Sequence, residues 1–367
     1  MEKQLWLSRL EEKKLQRRHR RNLLLGMAAC TVLLGTCLWY FFVYIRTPEY
    51  ALHALQTAIT EKDPAAFARY ADLEKITNRA YDDLTVDFFA YDKTLTAQTR
   101  KLFENFYIII KPQVVDGTKE TILRRIETGD WSLPVGDSLL KGRQLGIDYE
   151  RILERSQIRD TDFIRIGSIT RSGRTAIAQL VVKDMSTQTP FTLLLTMEQA
   201  ADGHWQVVAI DNYRAWLDAV TPLVNQDIAS YITATQPIVN QYNNVFQKQQ
   251  DKFHTLTQTK NGQFSADQRS RIAAFLEGEV LPALQKRQQE LDALSIPTGA
   301  AYLASMRKSS TEKTTEAWRH FIAGIRENKQ AEFDTAESLH KQELEIDSRI
   351  GSIIRHTSRA QALPEIP

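Results

Sequence analysis

Residues 163–210 read FIRIGSITRSGRTAIAQLVVKDMSTQTPFTLLLTMEQAADGHWQVVAI, and this stretch decides the fold class. Its apolar residues recur with a period of two. Ala176, Ala178, Leu180 and Val182 share one face of one segment. Phe191, Leu193, Leu195 and Met197 share one face of the next, and Trp205, Val207 and Ala209 align in the last. Successive side chains of a strand point to opposite faces, so this period is the mark of half-buried strands. Arg171-Ser172-Gly173-Arg174 and Ala201-Asp202-Gly203 separate them as hairpin-type turns. Strands over 163–170, 175–183, 191–199 and 204–210 with short connections predict an antiparallel meander, covered on one face and wetter on the other.

Upstream, the period is helical. Thr47-Pro48-Glu49 combines an N-cap, a first-turn proline and an acid at the positive helix end. Leu52, Leu55 and Ile59 follow at helical spacing. Lys62-Asp63-Pro64 stops that helix and caps the next, and Asp72 caps a third carrying Ile76, Ala80, Leu84 and Phe88. A further helix with Leu102, Phe103, Phe106, Tyr107 and Ile110 is expected to end at Lys111-Pro112, and Asp116-Gly117-Thr118 to begin another. Gly129 to Gly146 reads as irregular. Residues 46–218 are therefore expected to form an α+β domain whose helices cover one sheet face.

Downstream of 218 the strand signals vanish. Apolar stripes run through Ile238 to Leu256, Ile272 to Leu294, Leu303 to Ile325 and Phe333 to Ile353. Their breaks are Lys260-Asn261-Gly262-Gln263, Pro297-Thr298-Gly299 and Glu327–Lys329, and Ser265-Ala266-Asp267-Gln268 is a capping box. Pro237 and Pro282 predict kinks or local breaks. Short connections make neighbouring helices antiparallel, so residues 219–360 are expected to form an up-down four-helix bundle, followed by a frayed tail over 361–367.

The chain has 367 residues, 43% of them hydrophobic and 25% charged, which places it among globular proteins. Net charge is +2 but lopsided: residues 1–22 hold 8 Lys/Arg against 3 Glu, and the rest holds 39 against 42 acids. The basic excess is a short tail, so nucleic acid is not an expected partner. Residues 23–45, LLLGMAACTVLLGTCLWYFFVYI, carry no charge. At about 1.5 Å per residue they reach about 34 Å, enough to cross a hydrocarbon core of about 30 Å. Arg17, Arg18, Arg20 and Arg21 precede them, while Trp39, Tyr40 and Tyr44 sit near the exit. The positive-inside rule then puts the tail in the cytoplasm and everything after Arg46 outside. The apolar core is too long, and its end too bulky, for a cleaved signal peptide. Met27-Ala28-Ala29-Cys30 only loosely resembles a lipobox. Cys30 and Cys37 lie seven residues apart on one face with Gly26, a pattern that lets two membrane helices approach closely or simply packs in lipid. No cysteine lies in 46–367.

The run Pro48-Glu49-Tyr50-Ala51-Leu52-His53-Ala54-Leu55, then Ile59, Lys62-Asp63-Pro64-Ala65-Ala66-Phe67 and Tyr70-Ala71-Asp72, resembles a bacterial domain family of unknown function found in single-pass envelope proteins. The pattern of helices ahead of a sheet that ends Gly203-His204-Trp205-Gln206-Val207-Val208 is also similar to the nuclear-transport-factor-two-like (cystatin-like) cone. The resemblance spans about 47–215, implies an α+β cone with a pocket between helix and curved sheet, and carries no activity over. The helical insert around 94–156 departs from the minimal cone.

Chemistry-bearing motifs are sparse. The chain has no Gly-x-Gly-x-x-Gly, Walker-type loop, Gly-x-Ser-x-Gly or Cys-x-x-Cys-His. Glu337-Ser338-Leu339-His340 has the Glu-x-x-His spacing of carboxylate-bridged di-iron bundles, but Glu316 and His320 have the wrong spacing for its second copy, so solvated surface is the economical reading. His204 could serve as a general base at a cone mouth, with Tyr50, Tyr107 and Trp205 lining an apolar pocket, but a base needs a positioned partner and core packing explains the rings. No catalytic, cofactor-binding or metal-binding residue is therefore assigned. The expectation is a non-enzymatic, membrane-anchored extracytoplasmic binding or interaction protein, touching lipid through residues 23–45 and a protein partner or a second copy elsewhere. The alternative is a small-molecule or lipid pocket in the α+β domain.

Overall fold

The structure is a computed structural model that describes residues 25, 27, 28, 30–36, 38–40, 43–90, 96–131, 147, 149–259 and 264–361. The basic tail 1–22, Gly26 and Cys37, the core of the irregular stretch, the Lys260–Gln263 break and the tail after 361 lie outside the described residues.

The fold is mixed, with many helices and one four-stranded antiparallel sheet. Helices α1 (Pro48–Glu61), α2 (Pro64–Tyr70), α3 (Leu73–Ala90), α4 (Ala97–Thr128) and α5 (Tyr149–Arg155) precede the strands. Their starts are set by side-chain caps: Thr47 Oγ1 accepts from Tyr50 N at 3.2 Å, Asp63 Oδ1 from Ala66 N at 2.9 Å and Asp72 Oδ1 from Lys75 N at 3.1 Å. Lys62, at φ 58°, ends α1 in the left-handed region.

One boundary differs from the expectation. No helix ends at Lys111-Pro112, and none starts at Asp116-Gly117-Thr118; α4 passes through both. Pro112 forfeits one intrahelical hydrogen bond. Burial of Ile110, Val114, Val115 and Ile126 on the inward face outweighs that loss, because each large apolar side chain contributes about 1.5–3 kcal/mol.

Strands β1 (Thr161–Ser172), β2 (Thr175–Asp184), β3 (Pro190–Gln199) and β4 (Trp205–Ile210) pair in sequence order, each antiparallel to the next. Gly173 and Gly203 hold positive φ in the turns. Ala176, Ala178, Val182, Leu193, Leu195, Met197, Trp205 and Val207 are buried in one core with residues of the flanking helices, α1 and α3 against β4 among them, whereas β1 stays largely exposed. The free edge of β4 is capped by chain from α2: Ala71 bridges Val207, and Asp72 N donates to Val207 O at 2.9 Å.

Helix α6 (Tyr213–Thr257) follows β4 directly, so the expected boundary between 218 and 219 falls inside one 45-residue helix. It runs through Pro222 and Pro237 without a break. Then come α7 (Ala266–Phe275), a π-helical turn (Leu276–Val280), α8 (Leu281–Asp292), α9 (Ala301–Glu327) and α10 (Gln330–Gln361). Ser265 Oγ caps α7, accepting from Gln268 N at 3.2 Å, and Asn328, at φ 52°, closes α9. Pro282 sits in the first turn of α8, just past the π-turn, where its missing N–H costs least. The core beneath the sheet continues into the helices: Val224, Ile228, Leu303, Met306 and Ile353 belong to the cluster that holds Trp205 and Trp216. A second cluster around Ile272, Leu276, Ile322 and Ile325 fills the distal end.

Among the described residues no single helix is long and apolar enough to cross a membrane; Cys30–Arg46 and Pro48–Glu61 meet that requirement only together, as a pair bent by 83°. The segment entering α1 is fixed to the sheet. Trp205 Nε1 donates to Arg46 O at 3.0 Å, and the rings of Tyr44, Tyr50, Tyr70 and His204 meet edge to face in succession at 5.4, 6.1 and 6.0 Å.

Candidate functional site

The residues singled out in the sequence do not converge. His204 is held by Asp202 through Nδ1 and by Arg69 O through Nε2 at 3.1 Å, so both ring nitrogens are engaged. Trp205 is fully buried in the core. Tyr50 packs on Tyr44 and Tyr70, whereas Tyr107 packs on Phe88 in the α3–α4 layer. Between helices and sheet, among the described residues, lies a cavity of about 140 Å³ with an almost wholly apolar lining. That is near the size of a dry cavity that holds one benzene. Glu337 and His340 lie on an exposed face of α10, where Glu337 pairs with Lys341 at 2.7 Å and His340 Nδ1 meets Glu343 at 2.7 Å. His320 pairs with Glu332 at 2.6 Å, across the α9–α10 turn. Among the described residues no group of three or more His, Cys, Asp or Glu is placed to hold a metal ion.

A cleft of about 680 Å³ lies between α6, α8, α9 and α10. Its walls follow helical stripes. Leu276, Val280, Leu284, Arg287 and Leu291 come from the π-turn and α8; Arg307, Ser310, Thr311, Thr314 and Trp318 come from α9. The π-turn adds a residue to one turn, which resets the phase of α8 and keeps Leu284, Arg287 and Leu291 on the cleft side.

Two guanidinium groups define the polar half. Arg287 stacks on the Phe246 ring at 5.1 Å and donates from Nη2 to Thr311 Oγ1 at 3.0 Å. Its Nε is buried without a hydrogen-bond partner. Arg307 stacks on Tyr231 at 5.1 Å and donates from Nη1 to Thr235 Oγ1 at 2.6 Å. Neither forms an ion pair with a described carboxylate within 4.0 Å. Burial lowers the Arg287 pKa, with Arg307 pressing the same way and Asp347 and Glu343 opposing. The two acids on α10 are committed elsewhere. Glu343 faces His340, and Asp347, on the solvent-exposed rim, accepts from Ser310 Oγ at 2.6 Å.

The other half is aromatic. Phe253 and Trp318 meet edge to face at 5.4 Å, Trp318 and Phe321 at 5.6 Å, and Phe321 and Phe333 at 5.6 Å. These rings line an adjoining groove of about 480 Å³. Phe253, Thr314, Trp318 and Glu343 line both spaces, so the two adjoin along a shared wall. Side by side they offer guanidinium groups with a few acceptors at one end and aromatic rings at the other.

Compared with known proteins, the chain matches no protein-family model, no curated protein and no solved structure.

Proposed function

We propose that this chain is a non-enzymatic, membrane-tethered binding protein whose ligand site is the cleft between α6, α8, α9 and α10. The observation that carries the reading is the cleft itself. At about 680 Å³ it falls in the 300–1,000 Å³ range of small-molecule sites, and it combines apolar walls with a few placed polar groups. The space between helices and sheet, at about 140 Å³, offers the alternative site much less room.

The tether rests on the sequence. Residues 23–45 are uncharged, an arginine-rich tail precedes them, and the positive-inside rule orients the rest of the chain outside the cytoplasmic membrane as a single-pass protein. In this reading the α+β region is a cone of the nuclear-transport-factor-two-like kind, and the C-terminal helices are an antiparallel four-helix bundle given over to binding. A protein partner or a second copy belongs to the same reading, with no surface assigned to it.

The experiment has two parts. Protease added to intact spheroplasts is expected to remove a C-terminal epitope and spare an N-terminal one; the opposite pattern overturns the topology. N-phenyl-1-naphthylamine, an uncharged probe, is expected to bind the full chain saturably, and Thr314→Trp, which plugs the junction of the two spaces, is expected to abolish binding. Saturable turnover of an envelope substrate would overturn the non-enzymatic reading.

A further inference from the structure

The cleft is polar at one end and aromatic at the other, and this polarity selects a ligand class. Arg287 and Arg307 are half-buried, and a guanidinium N–H turned away from water must recover a hydrogen bond from protein or ligand. Arg287 and Arg307 each have one protein hydrogen bond at the guanidinium, to a threonine hydroxyl in both cases. The Phe246 and Tyr231 rings cover one face of each plane, which fixes orientation and leaves the N–H edges to be satisfied. Arg287 Nε is fully buried and has no partner. Guanidinium edges match planar or tetrahedral oxyanions, which accept two parallel N–H bonds.

The nearby acids do not fill that role. Glu343 and Asp347 line the same cleft and Asp347 is the charge that acts most on Arg287, but neither comes within 4.0 Å of either guanidinium, so neither occupies the N–H edges. From the arginines the lining leads past Thr314 to Trp318, Phe321 and Phe333; the titratable groups along that groove, Glu337, His340 and Glu343, all lie on α10 and are paired within that helix, Glu337 with Lys341 and His340 with Glu343. A ligand that fills both ends therefore carries an anionic head and an apolar body.

Resting on the binding reading above, we propose that the cleft takes an anionic amphiphile, with a phosphate or carboxylate head held by Arg287 and Arg307 and an alkyl or acyl chain laid along the aromatic groove. Thr311 positions Arg287, and Thr235 positions Arg307. Head and chain contribute separately, so each can be removed in turn.

The test uses the full chain in nanodiscs, with empty nanodiscs subtracted, and four probes below their micelle concentrations: decyl phosphate, sodium decanoate, decanol and inorganic phosphate. Decyl phosphate and decanoate are expected to bind about tenfold or more tighter than decanol, the scale of a charge-assisted hydrogen bond. Inorganic phosphate is expected to bind far more weakly than decyl phosphate, which identifies the source as an amphiphile rather than free phosphate; equal affinity for the two would overturn the apolar half of the proposal. Arg287→Gln combined with Arg307→Gln is expected to erase the preference for the charged head, so that decyl phosphate binds no tighter than decanol. Arg287→Lys, which keeps the charge and loses the fork, is expected to restore part of it. If decanol binds as tightly as decyl phosphate, or the double variant keeps the preference, the ligand class is wrong and the cleft still stands as a site. If no ten-carbon probe binds, the binding reading fails and the ligand class with it.

Discussion

Arg155 and Asp87 form an ion pair inside the protein, with Nη2 2.9 Å from Oδ2 and Asp87 wholly removed from solvent. The same guanidinium donates from Nη1 to His356 Nε2 at 2.8 Å and stacks on Phe88 at 4.9 Å. One side chain thus joins α3, α5 and the last turns of α10. Breaking such a pair from one side strands a buried charge. Arg155→Met is expected to cost about 3–5 kcal/mol in denaturant unfolding of the full chain. Asp87→Leu with Arg155→Met is expected to cost markedly less, because no charge remains to be buried. A double variant as unstable as the single one would show that packing, not charge, dominates here.

Gly117 sits in the middle of α4, where propensity alone favours alanine by about 1 kcal/mol. A Cβ there would meet Tyr149 Cζ at 2.8 Å, and that tyrosine is held by its hydroxyl, which donates to Gln113 O at 2.9 Å. Gly117→Ala is therefore expected to destabilise, by about 1–3 kcal/mol, through overpacking. Tyr149→Ala in the Gly117→Ala background is expected to remove that clash, so the two costs are less than additive. Thermal denaturation of the four proteins decides the sign.

Asp160 gives the pH dependence. Burial raises its carboxyl pKa above the ordinary value, and the neighbouring Asp184 and Glu154 act in the same direction, with Arg159 opposing. A raised folded-state pKa means that the folded protein holds the proton more tightly than the unfolded chain. The contribution of Asp160 to stability thus falls as pH rises from the unfolded to the folded pKa, and it is a net cost at neutral pH. Asp160→Asn is expected to raise the midpoint of unfolding at pH 7 and to lose that advantage in acid, below both pKa values. Unfolding curves across pH check it, and an advantage that grows in acid would contradict it.

Trp205 ties the chain leaving residue 46 to the sheet. Trp205→Phe is expected to cost about 1–2 kcal/mol for the lost hydrogen bond and the small void. It is also expected to speed tryptic cleavage after Arg46. An unchanged cleavage rate would mean that the tyrosine and histidine rings hold this segment without the indole.

The sheet was legible because alternation over 163–210 is strong and the turn glycines punctuate it; four strands with the expected inward residues follow from period and turn chemistry alone. The caps at Thr47, Asp63, Asp72 and Ser265 were legible for the same local reasons. Pro112 was read as a stop because its cost is local, whereas the burial that overrides it on Ile110, Val114 and Val115 is tertiary. The cleft was missed although its signal is present. The inward stripe of α9 turns polar between Met306 and Ala317, at Arg307, Ser310, Thr311 and Thr314, and Arg287 interrupts the apolar run between Leu284 and Leu291. Stripes counted by their apolar members hide such interruptions; a stripe counted by helical position shows them.

The ligand site proposed above is the cleft between α6, α8, α9 and α10. Native mass spectrometry of the full chain, gently extracted from its own membrane, tests it most directly when set beside Thr314→Trp prepared identically. The account predicts one co-purifying amphiphile at fixed stoichiometry on the wild-type chain and none on the variant. A wild-type chain free of ligand, or the same molecule retained by Thr314→Trp, would contradict it.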